Sequence, residues 1–393
     1  MALVLTIKAI PVIGGSVALS EHAKDQQVSL SIQSPYFTAE QILSSNDLRN
    51  EYDYEHLCAA HFPSDAVPLA QYAPKFFGES ADSMPVMMAQ ANFLSGGLLI
   101  FFAIHHCVMD EIGFFNVMKV WSTCARGDTS LELEDHPEYT LSPEEAETKA
   151  TEDPSVFYLS RNSEVESAVF FLSDESLERL KTAATSPHES GAVEKTVITS
   201  ARISEGNGTA AVYPRFAMAI KGRSHLRPPM SSDYCGNVVL IAKTFTSAGT
   251  LLPPDSECLA KAALLVRKSL SAVDDAYIRD TIQLVRSVKD LGQLAPRSPT
   301  AVEHSRGCSS WPRQPYYSLD WDNLVGGRGE QVRWRNLRTD GLFVIVPRLP
   351  PTGILDDSHE TGGVEVLLGL KTDCMRRLKM DPMFCQFAEW RCG

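Results

Sequence analysis

Apolar positions along the chain fall into two patterns. Leu98–Ile104 (LLIFFAI) is a continuous apolar run of strand length, as expected of a buried strand. After it, Phe114, Val117, Met118 and Trp121 recur at three- and four-residue steps, which predicts a helix over 111–125. The HHCVMD segment at 105–110 is therefore placed on a strand-to-helix turn. Ser173–Ala184 (SDESLERLKTAA) predicts a second helix, with Ser173 suited to cap it and Glu175 and Glu178 near its positive end. Gly341–Pro347 (GLFVIVP) and Val364–Leu370 (VEVLLGL) predict strands on either side of a Pro/Gly/Asp loop at 350–363. Residues 373–378 begin a short terminal helix, and MALVLTIKAIPVIGG at the start predicts a helix running into a Pro-Gly turn.

Strand-like and helix-like segments mix, which points to an α/β or α+β class. The 393 residues suggest about two domains. Residues 186–210 are rich in Ser, Gly, Thr and Glu with little periodicity, and are read as the crossover between a domain at 1–185 and another at 211–393.

Charge and cysteine usage narrow the function. A net charge of −13 argues against a general binder of nucleic acid or anionic membrane, since both need a basic footprint. Lys8 interrupts the apolar start and no basic stretch precedes it, so the segment is read as structure rather than a secretion signal. No uncharged apolar run reaches roughly 18 residues, so no membrane span is expected. The nine cysteines are odd in number and scattered, without a CxxC pair. Reduced thiols in a cytoplasmic enzyme without a metal site are expected.

His106 and Asp110 form a His-x-x-x-Asp pair on the predicted turn. Acyl transfer from a thioester to an alcohol needs a base for the hydroxyl proton and donors for the tetrahedral oxyanion. It also needs a site that assembles both substrates and excludes water. Histidine suits the first task because its pKa lies near neutrality. The pair alone is weak evidence, and His61–Asp65 (HFPSD) repeats it. That copy contains Pro63 and follows no convincing strand, so it is read as a loop coincidence. Taken singly, His106 would more often be a satisfied core histidine, and Asp110 could be only a helix N-cap. Cys107 and Cys235 have no evident base beside them and are read as packing residues.

HHCVMDEIGF (105–114) resembles the HHxxxDG motif of the BAHD acyltransferases, especially the fungal branch that includes trichothecene 3-O-acetyltransferase. Four further segments occur in that family's order. IPVIGG (10–15) is similar to its P-L-A-G turn, and AMAIKGRSHLRPPMSSDYCGNVV (217–239) to its VDGRSRL-PP…YFGN segment. SSWPRQPYYSLDWDNLVGG (309–327) is similar to its SSW…DFGWG segment, and DGLFVIVPR with GGVEVLLGL (340–348, 362–370) to its terminal strands.

The resemblance implies an α/β fold of two similar-sized domains, each a mixed β-sheet flanked by helices, as in CoA-dependent and chloramphenicol acetyltransferases. A channel would run between them. It implies a monomer with no bound cofactor, taking acyl-CoA (acetyl-CoA above all) as co-substrate and a small hydroxylated acceptor. The reaction would be O-acyl transfer to a terpenoid, polyketide or alkaloid, with His106 as general base. The motif Asp would orient the turn by pairing with an arginine, here Arg223, and Asp320 would be structural. Lys221, Arg223, His225 and Arg227 form a basic set that could meet the CoA phosphates. Arg227 and Asn237 are the candidate contacts, and a solvated basic stretch is the equal alternative. Peptide-forming condensation domains share HHxxxDG, but the DFGWG-like and YFGN-like segments favour the acyltransferases.

The sequence also departs from the family pattern. Glu111 replaces the motif glycine, Lys221 the Asp of VDGR, Cys235 the Phe of YFGN, and Asp322 the first glycine of DFGWG. The family's first strand and helix are not seen before residue 10, which would leave a sheet edge open. A helix expected ahead of 194–202 is not seen either. Glu111 and the two missing segments motivate an alternative: a silent homologue that binds acyl-CoA or a metabolite without turnover.

Overall fold

The computed structural model describes residues 1–20, 29–33, 37–74, 83–128, 164–185, 215–246, 256–287, 306–321, 326–350 and 362–393. Helix α1 (Ala2–Ala9) runs into a 3-10 turn at Pro11–Gly14, as the apolar start and Pro11 predict. Strands β1 (Ser16–Ser20) and β2 (Ser29–Gln33), helix α2 (Ala39–Ile42) and β3 (Leu43–Asp47) follow. Helices α3 (Tyr54–Ala59) and α4 (Leu69–Tyr72) precede β4 (Ser83–Pro85), β5 (Met87–Leu94) and β6 (Gly97–Ile104). Then come α5 (Glu111–Ala125), β7 (Val165–Ser173), α6 (Asp174–Ala183), β8 (Arg215–Lys221) and β9 (Val239–Phe245). The chain continues with α7 (Ser256–Ser271), α8 (Asp275–Ser287), β10 (Arg306–Ser310) and β11 (Leu342–Ile345). It ends with β12 (Gly363–Lys371), α9 (Thr372–Lys379), α10 (Pro382–Cys385) and β13 (Glu389–Cys392).

These strands form one seven-stranded mixed sheet, ordered β13-β7-β12-β11-β10-β8-β9, and two three-stranded sheets, β2-β1-β4 and β3-β5-β6. In the large sheet β10 runs parallel to both β8 and β11, and the other pairs are antiparallel. Its core joins Phe170, Phe343 and Leu368 to Leu177 and Leu180 of α6 and Met375 of α9. Each such side chain contributes about 1.5–3 kcal/mol when fully removed from water. Ser173 caps α6 by accepting the Ser176 amide at 3.1 Å, as its position before the acidic turn predicts.

Two sequence expectations differ from the fold. β7 and α6 lie within 1–185, yet β7 is hydrogen-bonded between β12 and β13 in the large sheet. Its apolar run AVFFL, all buried, announces a central strand without naming the sheet. The expected crossover at 186–210, the stretch at 194–202 and most of the loop at 350–363 lie outside the described residues. The second difference is β6. LLIFFAI was expected to be a buried strand, but all eight residues of β6 are half-buried, and among the described strands it pairs with β5 alone. Aromatic rings explain the apolar run: Phe102 meets Trp121 and Trp321, while Phe101 meets Tyr72. The faces are partly covered by these rings.

A second core gathers Ile13, Met87, Met118 and Trp121 with Tyr316, Leu319 and Trp321. The segment 311–321 thus leaves the large sheet and packs with α1 and α5. Among the described residues no helix is long and apolar enough to cross a membrane, and no cluster of His, Cys, Asp or Glu could hold a metal.

Candidate active site

The turn at 105–110 is fixed from both ends. The His105 amide donates to Val86 O at 2.7 Å, continuing the β5–β6 pairing past the last strand residue. At the other end Asp110 adopts extended backbone angles and caps α5, accepting the Gly113 amide at 3.1 Å. The same carboxylate is gripped by Arg223: Nη1 donates to Oδ2 at 2.7 Å and Nη2 to Oδ1 at 2.9 Å. The Val238 amide supplies a fourth bond, at 2.8 Å to Oδ2. Asp110 and Arg223 are both buried, so this is a desolvated, bidentate pair, the strong form of the contact. Arg223 also donates to the carbonyls of Tyr234 and Gly236, which leaves its guanidinium well satisfied.

Gly113 makes the helix entry possible. A Cβ there would lie 2.0 Å from the Cys235 carbonyl oxygen and 2.8 Å from Met109 Cβ. The close approach needing glycine is at 113, three residues beyond the Asp, and position 111 accommodates a glutamate.

With the turn held, the His106 side chain is exposed while Val108, Met109 and Asp110 beside it are buried. Asn237 Nδ2 donates to the His106 carbonyl at 2.9 Å, so Asn237, considered from sequence as a CoA contact, fastens the turn. His105 is half-buried, and burial followed by the neighbouring His106 lowers its pKa. Cys107, read from sequence as a packing residue with no base nearby, is exposed, and its Sγ lies 2.8 Å from His105 Nδ1. Adjacent residues in sequence gave no sign that the ring folds back onto the thiol. Cys235 is half-buried, and burial pushes its thiol up to about 11.

The basic set at 221–227 does not converge on one point. Arg223 is spent on Asp110, and His225 Nδ1 sits 2.5 Å from Val273 O. Arg227 is exposed, with Nη1 donating to the carbonyls of Ser224 and Leu226 at 2.9 Å. Lys221 Nζ lies 3.3 Å from Glu111 Oε2, which also accepts from Gln314 at 3.1 Å. β8 ends at Lys221 and the backbone then turns, with Gly222 O accepting from the His225 and Leu226 amides, so these side chains leave it toward different neighbours. Asp320 lies apart from the turn; its carbonyl accepts from Arg126 at 2.7 Å, tying the end of α5 to the 311–321 segment. Neither Gln314 nor the pairing of Glu111 with Lys221 was foreseen. The one available signal was that two departures from the motif carry opposite charges.

The family model for the Transferase family matches residues 63–384. Acyltransferase BOA11 of Botryotinia fuckeliana is 23% identical over 96% of this chain and 86% of that relative. O-acetyltransferase ptmV of Penicillium ochrochloron is 22% identical over 79% of this chain and 74% of its own length. The crystal structure of F. graminearum TRI101 complexed with ethyl coenzyme A superposes with a TM-score of 0.78 at 20% identity, covering 99% of this chain and 90% of that one. The chain belongs to the Transferase family, the BAHD-type acyltransferases.

Proposed function

We propose that this acyltransferase moves an acyl group, acetyl in the first instance, from coenzyme A to a hydroxyl of a small secondary metabolite, with His106 as general base. The observation that carries the reading is the saturated Asp110 carboxylate. Four hydrogen bonds from Gly113, Val238 and Arg223 hold it, and they lock the turn while His106 stays exposed. A carboxylate so occupied is unsuited to relay protons, and its part is to orient the turn. The acceptor hydroxyl gives its proton to His106 as its oxygen attacks the thioester carbonyl. The tetrahedral intermediate then collapses, the C–S bond breaks, and the thiolate takes the proton back from His106. A thiolate is a good enough leaving group that no acyl-enzyme is required. The ethyl coenzyme A complex of TRI101 and the O-acetyltransferase name of ptmV support the choice of donor and acyl group.

The test is thiol release from acetyl-CoA against pooled terpenoid, polyketide and alkaloid alcohols, with products identified by mass spectrometry. Acetylated product from wild type is the expected result. A folded chain that binds CoA and yields no product with any acyl-CoA would replace this reading with that of a silent homologue.

A further inference from the structure

Glu111 and Lys221 are separate departures from the family motif in sequence, and in the structure they meet. Glu111 opens α5, Lys221 closes β8, and their charged groups are 3.3 Å apart. The pair lies next to Asp110–Arg223 along both elements, so two ion pairs join the same helix start to the same strand end. The Glu111 side chain is only 12% exposed, whereas Lys221 is 41% exposed. Gln314 reinforces Oε2, while Oε1 is buried without a hydrogen-bond partner, as is the Tyr316 hydroxyl. Tyr316 packs on Phe115 and stacks on Trp311, closing the apolar side of the cluster. A buried carboxylate this incompletely satisfied, paired with a half-exposed lysine, is a poor source of stability. Its geometric effect is clearer. Asp110 is held by Arg223 and the Val238 amide, and Asn116 further along α5 donates to Ser232 O; Glu111–Lys221 adds a tie from the last residue of β8, on the side of the helix start that faces Gln314.

We propose that Glu111 and Lys221 are a positioning pair for acyl transfer: their contact fixes the rotation of the α5 start against the end of β8 and so holds the turn that presents His106. The effect on turnover rests on the reading of His106 as base. The groups facing Glu111 are Lys221 from β8, Gln314 and Tyr316 from the 311–316 segment, and Asp110 on its own helix. Burial raises the Glu111 pKa and Lys221 opposes the rise, so removing Lys221 leaves a carboxylate that resists ionising where it sits.

The test compares K221Q, K221R, E111Q and the double variant E111Q/K221Q, each with folded fraction measured. K221Q is expected to lose about tenfold or more in kcat with KM nearly unchanged, since small misplacements near the chemistry are costly. The loss deepens as pH rises, because Glu111 then ionises without its partner. K221R recovers most of the rate, and E111Q/K221Q is no worse than K221Q and loses the added pH dependence. A readout independent of turnover is the rate of His106 acylation by diethyl pyrocarbonate, followed by peptide mass spectrometry. It is expected to shift at least about threefold in K221Q and to return in K221R. Losses that multiply in the double variant, with an unchanged His106 labelling rate in K221Q, would overturn the proposal. Full activity in H106A would instead overturn the base assignment and leave the labelling result to decide the pair.

Discussion

The chain carries the pattern His-x-x-x-Asp twice, and the two copies are built in opposite ways. At 106–110 the aspartate is the anchor: it caps a fifteen-residue helix and takes a buried arginine, and the histidine side chain is exposed. At 61–65 the backbone is the anchor. His61 and Phe62 have φ of 57° and 48°, a left-handed conformation uncommon for such residues. Their carbonyls accept from Arg333, which also pairs with the fully buried Glu365. Asp65 is exposed. Each copy is gripped by an arginine from the second half of the chain, but Arg223 holds a carboxylate and Arg333 holds a backbone corner. The spacing of two residue types says little until one knows which group of the motif is held.

Three pairs of substitutions press on this contrast. The largest expected effect is on turnover: H106A should lower kcat by about 10²- to 10⁴-fold, the usual worth of a general base, while H61A stays within a few-fold. Equal losses would remove the distinction between the copies. Next is stability, read from urea unfolding. R223M leaves Asp110 buried without its cation and should cost about 3–5 kcal/mol. R333M should fall at or below the lower end of that same range, about 3 kcal/mol, because Arg391 still lies 3.6 Å from Glu365. Only R223M should reduce kcat beyond its loss of folded protein. The smallest effect separates the aspartates: D65N should stay within about 0.5 kcal/mol, as exposed sites do. D110N, which leaves the buried Arg223 without its anion, should cost about 3–5 kcal/mol.

Much of the first copy was legible in the sequence. The apolar run, the helical spacing and the turn between them placed HHCVMD correctly, and α5 has the bounds the spacing predicts. The resemblance named Arg223, 113 residues away, where no local rule could have. Sheet membership was not legible, because the apolar run of β7 looks the same whichever sheet receives it. Nor was the burial of β6, whose apolar residues meet rings from Tyr72, Trp121 and Trp321 rather than a strand on each side. Arg227 and Asn237 were chosen by residue type as phosphate contacts. In the structure Arg227 Nη1 and Asn237 Nδ2 donate to backbone carbonyls, and such local bonding depends on turn geometry that composition does not encode. Glu111 and Lys221, read in sequence as separate departures from the motif, form one ion pair. Between oppositely charged positions on distant segments, proximity is the missing fact.

The return of residues 311–321 has a consequence for anyone who would exchange halves between relatives. Tyr316, Leu319 and Trp321 complete the core under α1 and α5, and Arg126 at the end of α5 clasps the Asp320 carbonyl. A chimaera cut between the two halves would therefore graft three foreign side chains into its recipient's interior. The workable crossover for recombination is one that inherits 311–321 together with the helix it covers.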